Sequence, residues 1–193
     1  SGRIYKPTQT DSKYMNSPES DIFIKGQTLY HYHQCREAVK KAGFVYLLEG
    51  FMDVIAMYKA GIENTVAIMG TALTKGHIQA LRRLTNHIYL CLDGDHAGQV
   101  AMSKAARELE EAGFKVQIII LPDGHDPDEI YEEHGQSGLE EALRKTMKPI
   151  EFLMDFEYQL VDSLNYDDRK NYLEKMCFEI TQIKDDIDRD YYM

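Results

Sequence analysis

Four short apolar runs, Val45–Leu48, Thr65–Met69, Ile88–Leu92 and Val116–Leu121, alternate with stretches of helical period. Runs of this length bounded by turn residues are buried strands rather than helices. Between them Met52–Ala60 forms one amphipathic segment, Thr74 to about Leu84 a second, and Ala101, Ala105, Leu109 and Ala112 mark the stripe of a third. Thr74 stands where an N-cap belongs, and Gly61 and Gly113 close the first and third helices. Parallel strands need a crossover connection, and a helical crossover packs back onto the sheet. The rhythm therefore predicts an α/β fold with a mostly parallel sheet flanked by helices.

The flanks differ from this centre. Residues 1–27 are rich in turn formers, Pro7, Ser12, Asn16, Ser17, Pro18 and Gly26 among them, and read as loops and short strands. A helix is expected from Thr28 to about Lys41, ending at Gly43. After Gly138 the strand signal stops. Ile150, Leu153, Leu160 and Leu164 fall on one helical face, and Leu173, Met176, Ile180, Ile183 and Ile187 on another. The expected division is a basic N-terminal remnant over 1–27, an α/β domain over 28–147 and a small helical subdomain over 148–193.

Composition narrows the class. With 44% hydrophobic and 28% charged residues the chain is an ordinary globular sequence. No apolar run approaches the roughly 20 residues that span a bilayer, and no signal-peptide pattern is present. Cys35, Cys91 and Cys177 are odd in number and far apart, which predicts buried thiols in a reducing cytosol rather than disulfides or a zinc site. The histidines show no metal-ligand spacing, and His31 and His33 read as surface residues. The net charge is −10 but uneven: residues 1–41 carry seven Lys/Arg against four Asp/Glu, and residues 150–193 five against twelve. A solvated surface explains such asymmetry by itself.

Carboxylates recur where strands end. Glu49 follows the first run, Asp93 and Asp95 the third, and Asp126 and Asp128 the fourth. In parallel α/β sheets ligands bind beyond the C-terminal strand ends. Two like charges about 4 Å apart repel by roughly 1 to 4 kcal/mol, so a convergent set calls for a cation. Oxygen ligands suit Mg²⁺ or Mn²⁺ rather than zinc. In Asp93-Gly94-Asp95 the two acids face one way if the chain is extended, while Asp95 is equally placed to cap the next helix. Glu49 fits either a metal ligand or a general base. Asp53 lies one helical turn beyond Glu49 and can share the site or simply stabilise the first turn through the helix dipole. Asp128 is placed to be the N-cap of the following helix, whereas Asp126 precedes a proline and is expected to point away from it. Gly50 and Gly70-Thr71 open turns at the same sheet end, the latter able to present backbone amides to a phosphate. Neither a Walker A motif nor G-x-G-x-x-G is present.

Four segments together resemble a known family: Leu48-Glu49-Gly50-Phe51-Met52-Asp53-Val54, Met69-Gly70-Thr71-Ala72-Leu73-Thr74, Asp93-Gly94-Asp95-His96-Ala97-Gly98 and Leu121-Pro122-Asp123-Gly124-His125-Asp126-Pro127-Asp128. They are similar to the Toprim domain of bacterial replicative DNA primases. Lys13-Tyr14-Met15-Asn16-Ser17-Pro18-Glu19 resembles the basic stretch that precedes Toprim in that family. Glu plus Asp-x-Asp alone would fit any Toprim protein. The primase resemblance rests on the added K-Y-x-N-S-P-E, E-G-F-M-D-V and D-P-D segments, and covers about residues 1–140.

The resemblance implies a Toprim domain over 28–147 and template-directed RNA primer synthesis on single-stranded DNA from ribonucleoside triphosphates. Metal ligands would then be Glu49, Asp93, Asp95, Asp126 and Asp128, with Glu49, Asp93 and Asp95 catalytic. Arg3, Lys13, Asn16 and Lys25 would contact nucleotide or template, and Gly50, Asp53, Gly70 and Thr71 would support the site. Mg²⁺ or Mn²⁺ is the implied cofactor, with no zinc in this stretch and no membrane. The implied partner is a replicative helicase, bound through a C-terminal domain outside this chain, at a cytoplasmic replication fork. Another Toprim protein, a topoisomerase, a nuclease or a non-catalytic recombination module, is the alternative.

Overall fold

The computed structural model describes residues 2–3, 14–15, 18–21, 23–70, 72–92, 94 and 96–193, with backbone only at 2, 3, 14, 15 and 123. Two short strands, β1 Gly2–Arg3 and β2 Tyr14–Met15, pair antiparallel. The main sheet holds β3 Val45–Leu48, β4 Thr65–Ala67, β5 His87–Cys91, β6 Lys115–Ile119 and β7 Thr146–Met147, in the order β4-β3-β5-β6-β7. The first four are parallel, and β7 runs antiparallel to β6.

Alternation along each strand builds two cores. Leu47, Leu90 and Ile118 point to one face, and their chain neighbours Leu48, Cys91 and Ile119 to the other. The first face packs Leu81 of helix α3 (Lys75–Arg82), Met102 and Leu109 of α4 (His96–Glu111), and Val39 of α1 (Arg36–Ala42). The second packs Val54 and Met57 of α2 (Phe51–Lys59) with Ile130 and Leu139 of α5 (Pro127–Ala142). Both faces are covered, as a parallel sheet requires.

Several expectations need correction. The helix expected from Thr28 to Lys41 spans only Arg36–Ala42. Upstream, the Tyr30 amide donates to the Ala67 carbonyl at 2.9 Å, and His31 has φ 65°, which a helix cannot contain. The outer edge of β4 offers unpaired backbone groups, and Tyr30 satisfies them in preference to a local helix. A strand also exists beyond Gly138: β7 is two residues long, too short to show a period. Cys35 and Cys91 are buried, but Cys177 is exposed.

The C-terminal helices are α6 Pro149–Tyr158, α7 Tyr166–Thr181 and α8 Asp186–Tyr192. Phe152 and Phe156 of α6 belong to the first core, stacked with centroids 5.9 Å apart. Because α6 ends at Tyr158, Leu160 and Leu164 do not continue its buried face; they are 63% and 93% exposed. Of the expected stripe, Met176 and Ile180 on α7 are buried, while Leu173 on α7 and Ile187 on α8 are exposed. Tyr192 donates to Glu151 Oε1 at 2.7 Å and Lys148 pairs with Asp188, which ties α8 to the start of α6. Among the described residues no helix is long and apolar enough to cross a membrane.

Candidate metal and nucleotide site

In the sheet order, β3 passes the chain to β4 on one side and β5 passes it to β6 on the other. The switch point lies between β3 and β5, where ligands of open α/β sheets bind. Leu48 is in register with Cys91, so Glu49 and Leu92 leave the sheet side by side. Asp93, Asp95 and Thr71, all candidates from the sequence, lie outside the described residues, as do Lys13, Asn16 and the side chain of Arg3.

Glu49 is half-buried, and its carbonyl accepts the Met69 amide at 2.9 Å. That bond joins the ends of β3 and β4. Met69 has φ 56° and is followed by Gly70 at φ 71°. A non-glycine residue held left-handed at a strand end is the kind of outlier that clusters at functional sites. Gly50 caps α2 in extended conformation, and its amide donates to Asp53 Oδ2 at 2.8 Å. Asp53 is 4% exposed, and this bond assigns it to the first-turn role.

The loops after β5 and β6 touch through their glycines. A Cβ on Gly94 would lie 2.8 Å from Gly124 Cα, and Gly124 has φ 74°. Gln99 Nε2 donates to the Gly94 carbonyl at 3.0 Å, fastening that loop to α4.

At the start of α5 the expected roles are exchanged. Asp126, not Asp128, is the N-cap: its Oδ1 accepts the Glu129 amide at 2.7 Å, and Glu129 Oε2 accepts the Asp126 amide at 3.2 Å. The extended conformation imposed by Pro127 is the one an N-cap adopts, so the proline fixes the cap rather than turning the acid away. Asp128 sits half-buried in the first turn. Burial pushes its carboxyl above the usual range, the Glu132 and Asp126 carboxylates push the same way, and Lys59 opposes them.

Capping engages one oxygen of Asp126, and a carboxylate has about four lone-pair sites; the cap is compatible with metal ligation. Among the described residues no three His, Cys, Asp or Glu side chains form a group able to hold a metal ion. The donor chemistry, carboxylate oxygens at a sheet switch point, fits a hard divalent cation.

Lys25 lies in a 3₁₀ turn over Lys25–Gln27. Its amide donates to Glu19 Oε1 at 3.1 Å, and its carbonyl accepts His77 Nε2 at 2.8 Å. Sequence reasoning missed His77 and Gly76. The available signal was a glycine and a histidine within the first turn after a threonine cap.

A three-layer α/β fold whose sequence carries acids after three adjacent strands, β3, β5 and β6, is the arrangement of a Toprim-type domain, and the family model described as Toprim-like matches residues 46–131. A second model, the N-terminal domain of the DNA primase catalytic core, matches residues 1–36. The chain belongs to the bacterial DNA primases, within their catalytic core. It is 36% identical over 182 residues to a DNA primase of Halalkalibacterium halodurans, an alignment covering 94% of this chain and 30% of that protein. Among solved structures, the RNA polymerase domain of Mycobacterium tuberculosis primase is similar with TM-score 0.81 and 26% identity, covering 98% of this chain and 62% of that one. A DnaG primase catalytic domain bound to ssDNA gives TM-score 0.76 and 34% identity, covering 95% and 59%.

Proposed function

We propose that this chain is the metal- and nucleotide-handling part of an enzyme that makes short RNA primers on single-stranded DNA by nucleotidyl transfer. The observation that carries the reading is that β3, β5 and β6, the strands followed in the sequence by Glu49, by Asp93 and Asp95, and by Asp126 and Asp128, lie side by side at the β3–β5 switch point. Glu49, Asp93, Asp95, Asp126 and Asp128 are the proposed holders of Mg²⁺ or Mn²⁺. A divalent cation held by those acids would supply positive charge to the triphosphate and lower the pKa of the attacking 3′-hydroxyl. Glu49 at the end of β3 either joins that set or accepts the proton of the hydroxyl. Asp53 acts indirectly, holding Gly50 and so the turn that carries Glu49.

Arg3, Lys13, Asn16 and Lys25 are the proposed contacts to nucleotide or template phosphates, with Gly70-Thr71 lending backbone amides. Ribonucleoside triphosphates are the substrates and single-stranded DNA the template, as the ssDNA-bound relative supports. The expected protein partner is a replicative helicase, engaged outside this chain at a cytoplasmic replication fork. The division into 1–27, 28–147 and 148–193 belongs to the same reading.

The first test is Mn²⁺ binding by paramagnetic resonance to this chain and to Asp93→Asn. Saturable binding weakened at least tenfold by the substitution is expected. Equal binding by both would remove Asp93 from the metal set. In the full-length protein Asp93→Ala and Asp95→Ala should each abolish primer synthesis with unchanged melting; DNA relaxation or nicking in place of priming would point instead to a topoisomerase or nuclease.

A further inference from the structure

The turn that carries Lys25 is held from below by the first turn of α3. Thr74 Oγ1 donates to the Gly26 carbonyl while accepting the His77 amide at 3.2 Å, so one hydroxyl caps the helix and grips the turn. His77 Nε2 donates to the Lys25 carbonyl at 2.8 Å, which places a proton on Nε2 because a carbonyl can only accept. His77 is fully buried, and among the described residues its Nδ1 has no hydrogen-bond partner. The contact is also close in backbone terms: a Cβ on Gly76 would lie 2.6 Å from the Gly26 carbonyl oxygen and 3.3 Å from Gln27 Cα.

These contacts join segments about 50 residues apart, one in the N-terminal part of the chain and one in the Toprim domain. One threonine hydroxyl and one buried histidine side chain thus both bond to the backbone of a three-residue turn, at Gly26 and at Lys25. Their common product is a fixed backbone at Lys25 and Gly26.

We propose that Thr74, Gly76 and His77 form a clamp that positions Lys25 to meet a phosphate, either of the incoming nucleotide or of the template strand. The proposal rests on the reading of Lys25 as a phosphate contact. The clamp residues touch neither phosphate; they are positioning residues, acting through the backbone of the Lys25–Gln27 turn. Lysine is a point charge on a flexible stem, so only the placement of its Cα can be set by the fold.

The test uses the full-length protein as wild type, Lys25→Ala, Gly76→Ala and the double variant of these two, with Thr74→Ser and Thr74→Val beside them. Dissociation constants are measured separately for a ribonucleoside triphosphate and for a single-stranded DNA oligomer, which tells the two phosphate sources apart. Amide hydrogen exchange over residues 24–28 reports the clamp directly, since the Gln27 and Thr28 amides donate to Ile24 and Lys25 within that turn.

Lys25→Ala is expected to weaken one ligand by about tenfold or more, the scale of a charged hydrogen bond. Gly76→Ala should weaken the same ligand, speed exchange over 24–28 and leave exchange in β5 unchanged. The double variant should bind no worse than Lys25→Ala alone. Helix propensity by itself favours alanine at position 76, so a loss of binding there reports the collision with Gly26. Thr74→Ser, which keeps the hydroxyl, should bind as wild type, and Thr74→Val should not.

Losses that multiply in the double variant, or unaltered exchange over 24–28 in Gly76→Ala, would overturn the clamp. Unchanged binding of both ligands by Lys25→Ala would overturn the phosphate role of Lys25, and with it the purpose assigned here. Exchange that still rises in Gly76→Ala would then show that this failure lies with Lys25 rather than with the contact.

Discussion

A side chain on Gly94 would collide with the backbone of Gly124, its Cβ only 2.8 Å from the facing Cα. These residues lie in the loops after β5 and β6, and each is flanked by acids: Asp93 and Asp95 around the first, Asp126 and Asp128 just after the second. Two glycines in van der Waals contact let the acidic loops approach more closely than any other residue pair would.

Gly94→Ala tests that relation. Relief requires the two loops to move apart, at a cost of about 1–3 kcal/mol for overpacking. Denaturant unfolding should show a loss of that size, and Mn²⁺ binding should weaken with it. Wild-type values for both would mean that the loops yield without consequence and that their spacing is unimportant to the site.

Asp126 has two assigned tasks that one pair of variants separates. Asp126→Ala removes the cap of α5 and should lower stability by about 0.5–2 kcal/mol. Asparagine is as good a cap as aspartate but lacks the charge, so Asp126→Asn should melt within a degree or two of wild type while binding Mn²⁺ more weakly. If the asparagine variant binds metal normally, the residue is a cap alone.

His77 predicts a pH signature of stability. Burial lowers its pKa below 6.5, with the Lys25 and Thr28 backbone groups acting in the opposite sense. Below pH 6.5 the unfolded chain takes up this proton before the folded one does, so stability rises with pH through the window. The contribution is fully present above about pH 6.5 and is lost as pH falls from there toward the folded pKa. Urea unfolding from pH 5 to 7.5 should show wild type losing more stability on acidification than His77→Asn. Parallel curves for the two proteins would exclude His77 as the titrating group.

Phe152 is 1% exposed in the core formed against α4 and β6. Truncation to alanine should cost about 3–5 kcal/mol, in a single cooperative transition with the Toprim sheet. Two separable transitions, with the sheet unaffected, would make the C-terminal helices an independent unit.

Much of the frame was legible from local pattern. Val45–Leu48, Ile88–Leu92 and Val116–Leu121 lie in strands covered on both faces, so their runs are almost wholly apolar, with Gln117 the one polar residue, and identify themselves. Thr74 caps α3 as its position suggested, with its hydroxyl accepting the His77 amide. The acids after these strands were visible for the same reason: a charge at the end of an apolar run is conspicuous. Less legible were features whose cause lies elsewhere in the chain. Asp126 and Asp128 both sit at plausible cap positions, and only the backbone path into α5 chose between them. The expected helix from Thr28 lost its first half because Tyr30 found Ala67 across the sheet edge.

The sequence by itself determined the alternation of strand and helix, the mostly parallel sheet and the placing of Glu49 and the later acids at one end of it. Those follow from periodicity and from the crossover that parallel strands demand, both properties of neighbouring residues. Tertiary structure alone decided the antiparallel β7, the docking of Phe152 beneath α4, the contact of Gly94 with Gly124 and the grip of His77 on Lys25. Each of these depends on groups far apart in sequence satisfying one another's buried surface or hydrogen bonds, and no local pattern encodes which distant partner will be within reach.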